Sequence, residues 1–196
     1  MIALFNEPDF PTLGTSPLPL SSLKKALASA GPVTVIGLEG LQNLDPLKTD
    51  LVVFPYGSAF PKQGWEGLYS YLLKGGNLLA LGGRPFEVPA RKVGNKWEIE
   101  PAQTAYYQNL GIEQLNTVPA SRAKKYQAAP GEESLQGLSF APMESHSLMP
   151  RFTEADEENR TGSTGPMDGE LKPLLWGLDD RGRRVSCPAL LIDRYQ

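Results

Sequence analysis

Four short apolar runs in the first half of the chain are each followed by a polar or glycine-bearing loop. The runs lie at 2–5, 33–36, 51–54 and 77–81. Between them, apolar residues spaced three or four apart predict two helices. One begins near Ser21 or Ser22, whose hydroxyls are suited to cap it, and ends at Gly31; the other spans about 62–73. Short buried strands that alternate with helices predict an α/β fold with a mainly parallel sheet.

The second half of the chain loses this alternation. In residues 92–100, apolar and polar positions alternate on either side of a Gly-Asn turn, which predicts a small hairpin. Residues 103–110 predict a helix closed by Gly111. The stretch 120–169 is rich in Pro, Gly, Ser and Glu, which predicts irregular loops with one or two short elements, mobile around 154–165. Order returns at the end, where two strands, 174–178 and 184–192, flank a turn and are expected to pair antiparallel.

Size and charge limit the class of protein. A chain of 196 residues suits one α/β domain, residues 1–196, with a core of its own. The net charge of −3 gives no electrostatic reason to expect nucleic acid or an anionic membrane as partner. No apolar run approaches the roughly 20 residues that span a bilayer. Because strand-like residues begin right after Met1 and end near Gln196, we expect either a domain excised from a longer protein or a complete cytoplasmic chain.

Polar and glycine residues follow the first, third and fourth apolar runs. The carboxyl ends of parallel strands meet at one edge of a sheet, where α/β proteins bind ligands. The sequence therefore predicts either loops that only cap the fold or a ligand-binding crevice, for a sugar or another domain, with no cofactor and no metal. Its candidate residues are Asn6, Glu7, Tyr56, Gly57, Ser58, Gly83, Arg84, Phe86 and Glu87.

Three segments carry a resemblance to a known family. They are DLVVFPYGS (50–58), KGGNLLALGGRPF (74–86) and the ending PLLWGLDDRGRRVSCPALLID (173–193). They resemble the class I glutamine amidotransferase-like superfamily. The resemblance implies a flavodoxin-like three-layer sandwich with a mainly parallel sheet and an irregular C-terminal insertion followed by two late strands. The resemblance also implies that segment 50–58 contains the oxyanion loop and that segment 74–86 contains the strand leading to the nucleophile elbow.

The elbow departs from the pattern of active members of this superfamily. Those members carry a cysteine between glycines, whereas the segment from Leu81 to Pro85 has no Cys, Ser or Thr. Gly83 suits the strained turn, but it offers no nucleophile beside the backbone donors. The His-x-Glu pair of the family is also missing, since the single histidine, His146, lies in a Glu-Ser-His-Ser sequence. The sequence therefore predicts that amidotransferase chemistry is absent.

With no nucleophile at its elbow, this chain resembles the accessory modules of multidomain glycoside hydrolases, including the trimer-forming domain of some β-galactosidases. The carrying residues are 75–86, the insert with Trp97, and the helix end from Tyr106 to Ile112. The resemblance implies a non-catalytic module that acts through interdomain contact, oligomerisation or sugar binding. Its partners would be other domains of the same polypeptide, further copies of the chain, or carbohydrate. A fragment of a secreted hydrolase would be extracellular or periplasmic.

Two other functions stay open at this point. One is a small hydrolase of glycosides or esters with a relocated site at Glu7, Ser58, Arg84 and Glu87, since two carboxylates in one crevice suit acid/base catalysis. The other is a ligand-binding or sensor domain, with a site near Trp65 or Trp97.

Several further residues have simpler explanations. The lone cysteine, Cys187, excludes an internal disulfide and is typical of a small buried apolar residue. A surface or locally bonded role is favoured for His146, and a turn role for Ser58. The acidic run 154–158 lacks the spacing of a calcium loop, so a solvated loop is favoured over a cation site. Trp97 and Tyr106-Tyr107 suit sugar stacking or packing, with core packing favoured for at least one tyrosine.

Overall fold

The computed structural model describes residues 1–110, 112–137, 145–150 and 169–194. The chain divides into two compact units, residues 1–104 and 105–196. The single domain expected from chain length stays a prediction.

The first unit combines short strands and helices in the predicted order. Its elements are β1 (Ile2–Phe5), α1 (Leu20–Leu27), β2 (Val33–Ile36), α2 (Leu38–Gln42), β3 (Leu51–Phe54), β4 (Ala59–Pro61), α3 (Trp65–Leu73), β5 (Leu78–Ala80), β6 (Val88–Val93) and β7 (Lys96–Ile99). The four strands predicted from apolar runs are confirmed as β1, β2, β3 and β5. The helix α2 and the strand β4 were not anticipated.

The four apolar strands form one parallel sheet in the order β2-β1-β3-β5. Ile2 lies opposite Val33 on one side and Leu51 on the other, which sets the register. This confirms a mixed α/β unit with a parallel sheet. A second small sheet has the order β4-β6-β7. Its β6 and β7 pair antiparallel, so the predicted hairpin is confirmed.

Helix α1 packs on the parallel sheet through an apolar stripe. Leu20, Leu23 and Leu27 meet a cluster of buried strand residues that includes Leu4 and Val53. The helix begins at Leu20, its N-cap is Pro19, and no side chain caps it. The expected hydroxyl cap from Ser21 or Ser22 is therefore wrong: the helix starts earlier because Leu20 belongs to the packed stripe.

The neighbouring strand residues point away from α1, because side chains alternate along a strand. The rings of Phe5 and Phe54 stack there with centroids 4.9 Å apart. Tyr71 of α3 is buried, and its hydroxyl donates to the carbonyl oxygen of Thr49 at 3.1 Å and accepts from the backbone N–H of Asn77 at 3.0 Å. These bonds attach α3 to the beginnings of β3 and β5.

The second unit is mainly antiparallel β structure. Its described elements are α4 (Ala105–Gln108), β8 (Ile112–Val118), β9 (Lys125–Ala128), β10 (Ser145–Pro150), β11 (Gly169–Leu178) and β12 (Arg184–Arg194). The strands β12, β11 and β9 form one sheet, and β8 pairs with β10. The two late strands pair antiparallel, as predicted. The predicted mobility around 154–165 and the closing Gly111 lie outside the described residues.

Candidate functional site

The loops that follow β1, β3 and β5 meet at the carboxyl edge of the parallel sheet, and the predicted residues do come together there. The Tyr56 hydroxyl donates to Oδ1 of Asn6 at 3.0 Å. The backbone N–H of Arg84 donates to Oγ of Ser58 at 2.8 Å. Residues from three separate loops are therefore joined directly.

The bend after β5 is packed against the loop after β3. Gly83 has φ +56, a conformation that favours glycine. A Cβ placed on it would lie 2.7 Å from the carbonyl carbon of Gly57 and would also contact the nitrogen of Ser58. The space where a side chain of residue 83 would begin is thus filled by backbone.

The amide that follows the bend is already occupied. In a nucleophile elbow, the backbone N–H after the nucleophile helps to bind the oxyanion. At the matching place in this chain, the Arg84 N–H is hydrogen-bonded to the Ser58 hydroxyl, and Ser58 is only 6% exposed. The hydroxyl of Ser58 therefore joins two loops, which agrees with the turn role favoured from the sequence.

The long loop after β1 covers the bend. Its Leu13 donates from the backbone N–H to the carbonyl of Tyr56 at 3.2 Å and accepts from the N–H of Ser58 at 2.8 Å. A Cβ on Gly57 would lie 2.8 Å from the Thr15 methyl, so this segment is in close contact with the strand-end loops. The sequence predicts a loop between the first apolar run and the first helix, but it does not indicate that this loop covers the bend.

Glu7 is held by two partners. Its Oε1 accepts from the backbone N–H of Leu38 at 2.7 Å, and its Oε2 pairs with Nζ of Lys92 at 2.8 Å. Burial raises the pKa of Glu7, but the bonds to Lys92 and Leu38 outweigh it and leave the pKa below 4.5. Such a carboxylate stays ionised near neutral pH, so it is poorly suited to act as a general acid.

The other candidate carboxylate has its own cation. Oε1 of Glu87 lies 2.8 Å from Nη1 of Arg84, and the Glu87 side chain is more buried than that of Arg84. Glu7 and Glu87 are thus each neutralised by a different basic residue. The pair of Glu7 and Lys92 joins the loop after β1 to β6, and the pair of Arg84 and Glu87 lies within the loop after β5.

Phe86 turns inward at this edge. It is 3% exposed and has φ +58, a rare conformation for a residue with a bulky side chain. Its ring lies among those of Phe54, Phe60 and Trp65, with centroids 5.5–5.7 Å away. Phe86 therefore anchors its loop in the core, where it is not placed to contact a ligand.

The hairpin residue Trp97 supports the loop after β1. Its indole N–H donates to the carbonyl of Pro8 at 3.2 Å, and its ring meets the ring of Phe10 edge-on at 4.7 Å. Nζ of Lys92 lies 5.6 Å from the ring centroid. The half-buried ring is thus engaged with its own unit, although the sequence also suggested sugar stacking.

Tyr56 is kept neutral across the physiological range. Burial raises the pKa of its hydroxyl, and the nearby charge of Glu7 raises it further. Its ring packs edge-on to Phe10 at 4.8 Å. The Tyr56 hydroxyl thus acts as a hydrogen-bonding group here.

The remaining candidates lie in the second unit. Cys187 is buried, and burial raises the pKa of its thiol to about 11, so it is a small buried residue as predicted. Tyr107 is 6% exposed, which confirms core packing for one of the tyrosines. His146 lies in β10, paired with Thr117 of β8, where the sequence had placed it in a loop. The acidic run 154–158 lies outside the described residues.

Metal ligation and membrane crossing each need a recognisable arrangement of residues. Among the described residues, no group of three or more His, Cys, Asp or Glu side chains is arranged to hold a metal ion. In that same part of the chain, none of the helices is long and apolar enough to cross a membrane.

Comparison with known proteins adds no family. No protein-family model and no curated protein matches this chain. The likeness to amidotransferases therefore stays a prediction that rests on the quoted residues.

Proposed function

We propose that this chain is a non-catalytic amidotransferase-like module that serves a carbohydrate-degrading protein through interdomain contact, oligomerisation or sugar binding. The proposal includes the finer fold, a flavodoxin-like three-layer sandwich. The parallel strand order and the packing of α1 on one side of β1 and β3 support it, with aromatic residues on the opposite side.

The observation that carries the proposal is the occupied bend at Gly83. The position offers no nucleophile, the backbone of Gly57 and Ser58 fills the space beside it, and the Arg84 amide is bonded to Ser58. Acyl transfer needs both an attacking atom and free donors for the oxyanion. Neither is present at this bend, which supports a structural role for it.

The two outer strands of the parallel sheet support an interaction role. Leu4 and Val53 are fully buried, but Val35 and Leu79, which continue the same row on the two outer strands, are each 37% exposed. Parallel sheets are normally covered on both faces. Partly uncovered outer strands are what a module would present to another domain or another copy.

A turnover panel on the isolated chain tests the absence of catalysis. Glutamine, nitrophenyl esters and nitrophenyl glycosides should all remain unconverted at micromolar protein. Turnover that disappears in Glu7→Gln and Glu87→Gln would replace the proposal with the relocated hydrolase.

The link to carbohydrate has a separate test. The coding sequence on either side of this segment should encode a glycoside hydrolase domain. Flanking domains of unrelated chemistry, or a complete gene with no catalytic domain, would contradict this part of the proposal and leave the inert bend unaffected.

A further inference from the structure

A small pocket lies where the chain order of the parallel sheet reverses. β1 has β2 on one side and β3 on the other, so the sequence order of the strands changes direction between β1 and β3. The pocket is lined by residues from both loops and from α1, and its volume is about 40 Å³. Ligands of α/β proteins bind at this kind of switch point.

Three polar side chains contribute to the pocket: Asn6, Thr12 and Tyr56. The hydrogen bond from the Tyr56 hydroxyl fixes which end of the Asn6 carboxamide is the acceptor, so Nδ2 is left as a donor. In the part of the chain that the structure describes, neither this Nδ2 nor the Thr12 hydroxyl has a hydrogen-bond partner. The Tyr56 hydroxyl is already engaged, since it donates to Asn6 and the backbone of Glu7 also hydrogen-bonds to it.

The rest of the lining is apolar and includes Leu18, Leu20 and Pro55. None of the described residues that line the pocket is charged. An ionised ligand group would lose hydration there without gaining an opposite charge. These features favour an uncharged ligand that carries both hydroxyl groups and an apolar face.

The volume limits how much of a ligand can enter. A cavity needs roughly 10–15 Å³ of such space to hold one water, so the pocket accommodates about three water-sized groups. That matches one edge of a polyol, with the remainder outside. Leu18, which is 47% exposed, forms an apolar lip against which the C–H face of the ligand can rest.

We propose that the pocket formed by Asn6, Thr12, Tyr56 and Leu18 binds two neighbouring hydroxyl groups of a small neutral polyol. Asn6 donates to one ligand oxygen and the Thr12 hydroxyl exchanges hydrogen bonds with the other, while Tyr56 holds the Asn6 carboxamide in place. Only the choice of a sugar among neutral polyols rests on the proposed function.

An NMR titration of the ¹⁵N-labelled chain tests this binding site. Glycerol, galactose and the charged sugar glucuronate are added separately, while the side-chain amide of Asn6 and the backbone amides of Thr12 and Leu18 are followed. With so few ligand atoms engaged, the dissociation constant should be on the order of millimolar or weaker. The shifts should saturate for the neutral ligands and be weaker for glucuronate.

Asn6→Asp is the informative variant. It keeps an oxygen that accepts from Tyr56 but removes the free donor, so binding should weaken by roughly five- to tenfold. Asn95→Asp makes the same change of charge in the exposed hairpin turn and should bind like the original chain. Thr12→Val removes one hydroxyl at nearly constant shape and should weaken binding by a similar factor.

The possible results separate the two proposals. Shifts that fail to saturate for both neutral ligands, or that persist unchanged in Asn6→Asp, overturn the pocket and leave the inert bend as it is. Equal affinity for glucuronate also overturns it. Binding of glycerol without galactose supports the pocket and counts against the sugar-binding part of the proposed function.

Discussion

Replacing Gly83 by alanine should destabilise the first unit by more than backbone strain alone. Gly83 has φ +56 and close backbone neighbours, whereas Gly94 in the β6–β7 turn has φ +58 and nothing within 4 Å of the place that a methyl group would take. Alanine in this region of φ costs about 1–2 kcal/mol at either position. At Gly83 the methyl must also displace the backbone of Gly57 and Ser58, which adds about 1–3 kcal/mol.

Gly94→Ala should therefore lose about 1–2 kcal/mol of unfolding free energy, and Gly83→Ala about 2–5 kcal/mol. Urea unfolding followed by tryptophan fluorescence measures both. Trp65 and Trp97 lie in the first unit and Trp176 in the second, so a Trp176→Phe background makes the signal report the first unit. Far-ultraviolet circular dichroism checks that both variants fold.

Equal losses in the two variants would refute this reasoning. They would mean that the bend has room for a side chain, and the structural argument against a nucleophile at position 83 would fail. If Gly83→Ala loses more unfolding free energy than Gly94→Ala, the difference is the energetic cost of separating the two closely packed loops.

Three further outcomes are expected. Ser58→Ala leaves a backbone N–H of the bend without its acceptor and should cost about 1–2 kcal/mol in urea unfolding, whereas exposed Ser16→Ala should cost almost nothing. The pKa of Glu7 is lower in the folded chain, so its pairing with Lys92 stabilises the fold fully above pH 4.5. This stabilisation is lost as the pH falls through the folded pKa. The difference in unfolding free energy between the original chain and Glu7→Gln should therefore shrink between pH 7 and pH 3. With a pKa of about 11, about one Cys187 thiol in a thousand is ionised at pH 8, so iodoacetamide should label it slowly until urea is added, and fast labelling of the native chain would contradict its burial.

The parallel sheet was predictable because its signal is local. The runs at 2–5 and 51–54 are apolar on both faces of the strand, as expected for strands in the middle of an α/β fold. The run at 33–36 contains Thr34 and forms an outer strand, and glycine or proline punctuates all three runs. The observed strands have these same limits. Helix α3 begins at Trp65, three residues later than expected, because Lys62–Gly64 forms a 3-10 turn first.

Elements fixed by distant contacts were missed or cut short. Helix α2 has five residues, too few to show a period, and the N–H of its first residue, Leu38, depends on Glu7, 31 residues earlier. The strand β11 was expected to begin at Leu174, directly after Pro173, and proline is rare inside strands. It begins at Gly169 and continues through Pro173, with a register shift just after it.

The candidate site was predictable in location but not in its bonds. Strand-end loops can be found from the pattern of runs, and Asn6, Tyr56, Ser58 and Arg84 do meet there. Their pairing depends on the exact path of each loop, for which the sequence has no periodic signal. The ion pair between Glu7 and Lys92 joins residues 85 apart in sequence, and no periodic signal in the sequence predicts it either.

Two independent features make the bend at Gly83 unsuited to acyl transfer. The first is visible in the sequence, since Gly83 has no attacking atom. The second is visible only in the fold: the N–H groups of Gly57, Ser58 and Arg84 donate to Leu81, to Leu13 and to the Ser58 hydroxyl. A catalytic edge leaves such donors free for the charge that develops on the substrate, whereas this edge uses them to hold its own loops. A thiol introduced at position 83 would therefore still lack the donors it needs, and recovery of acyl transfer would require the loop of Leu13 to move away as well.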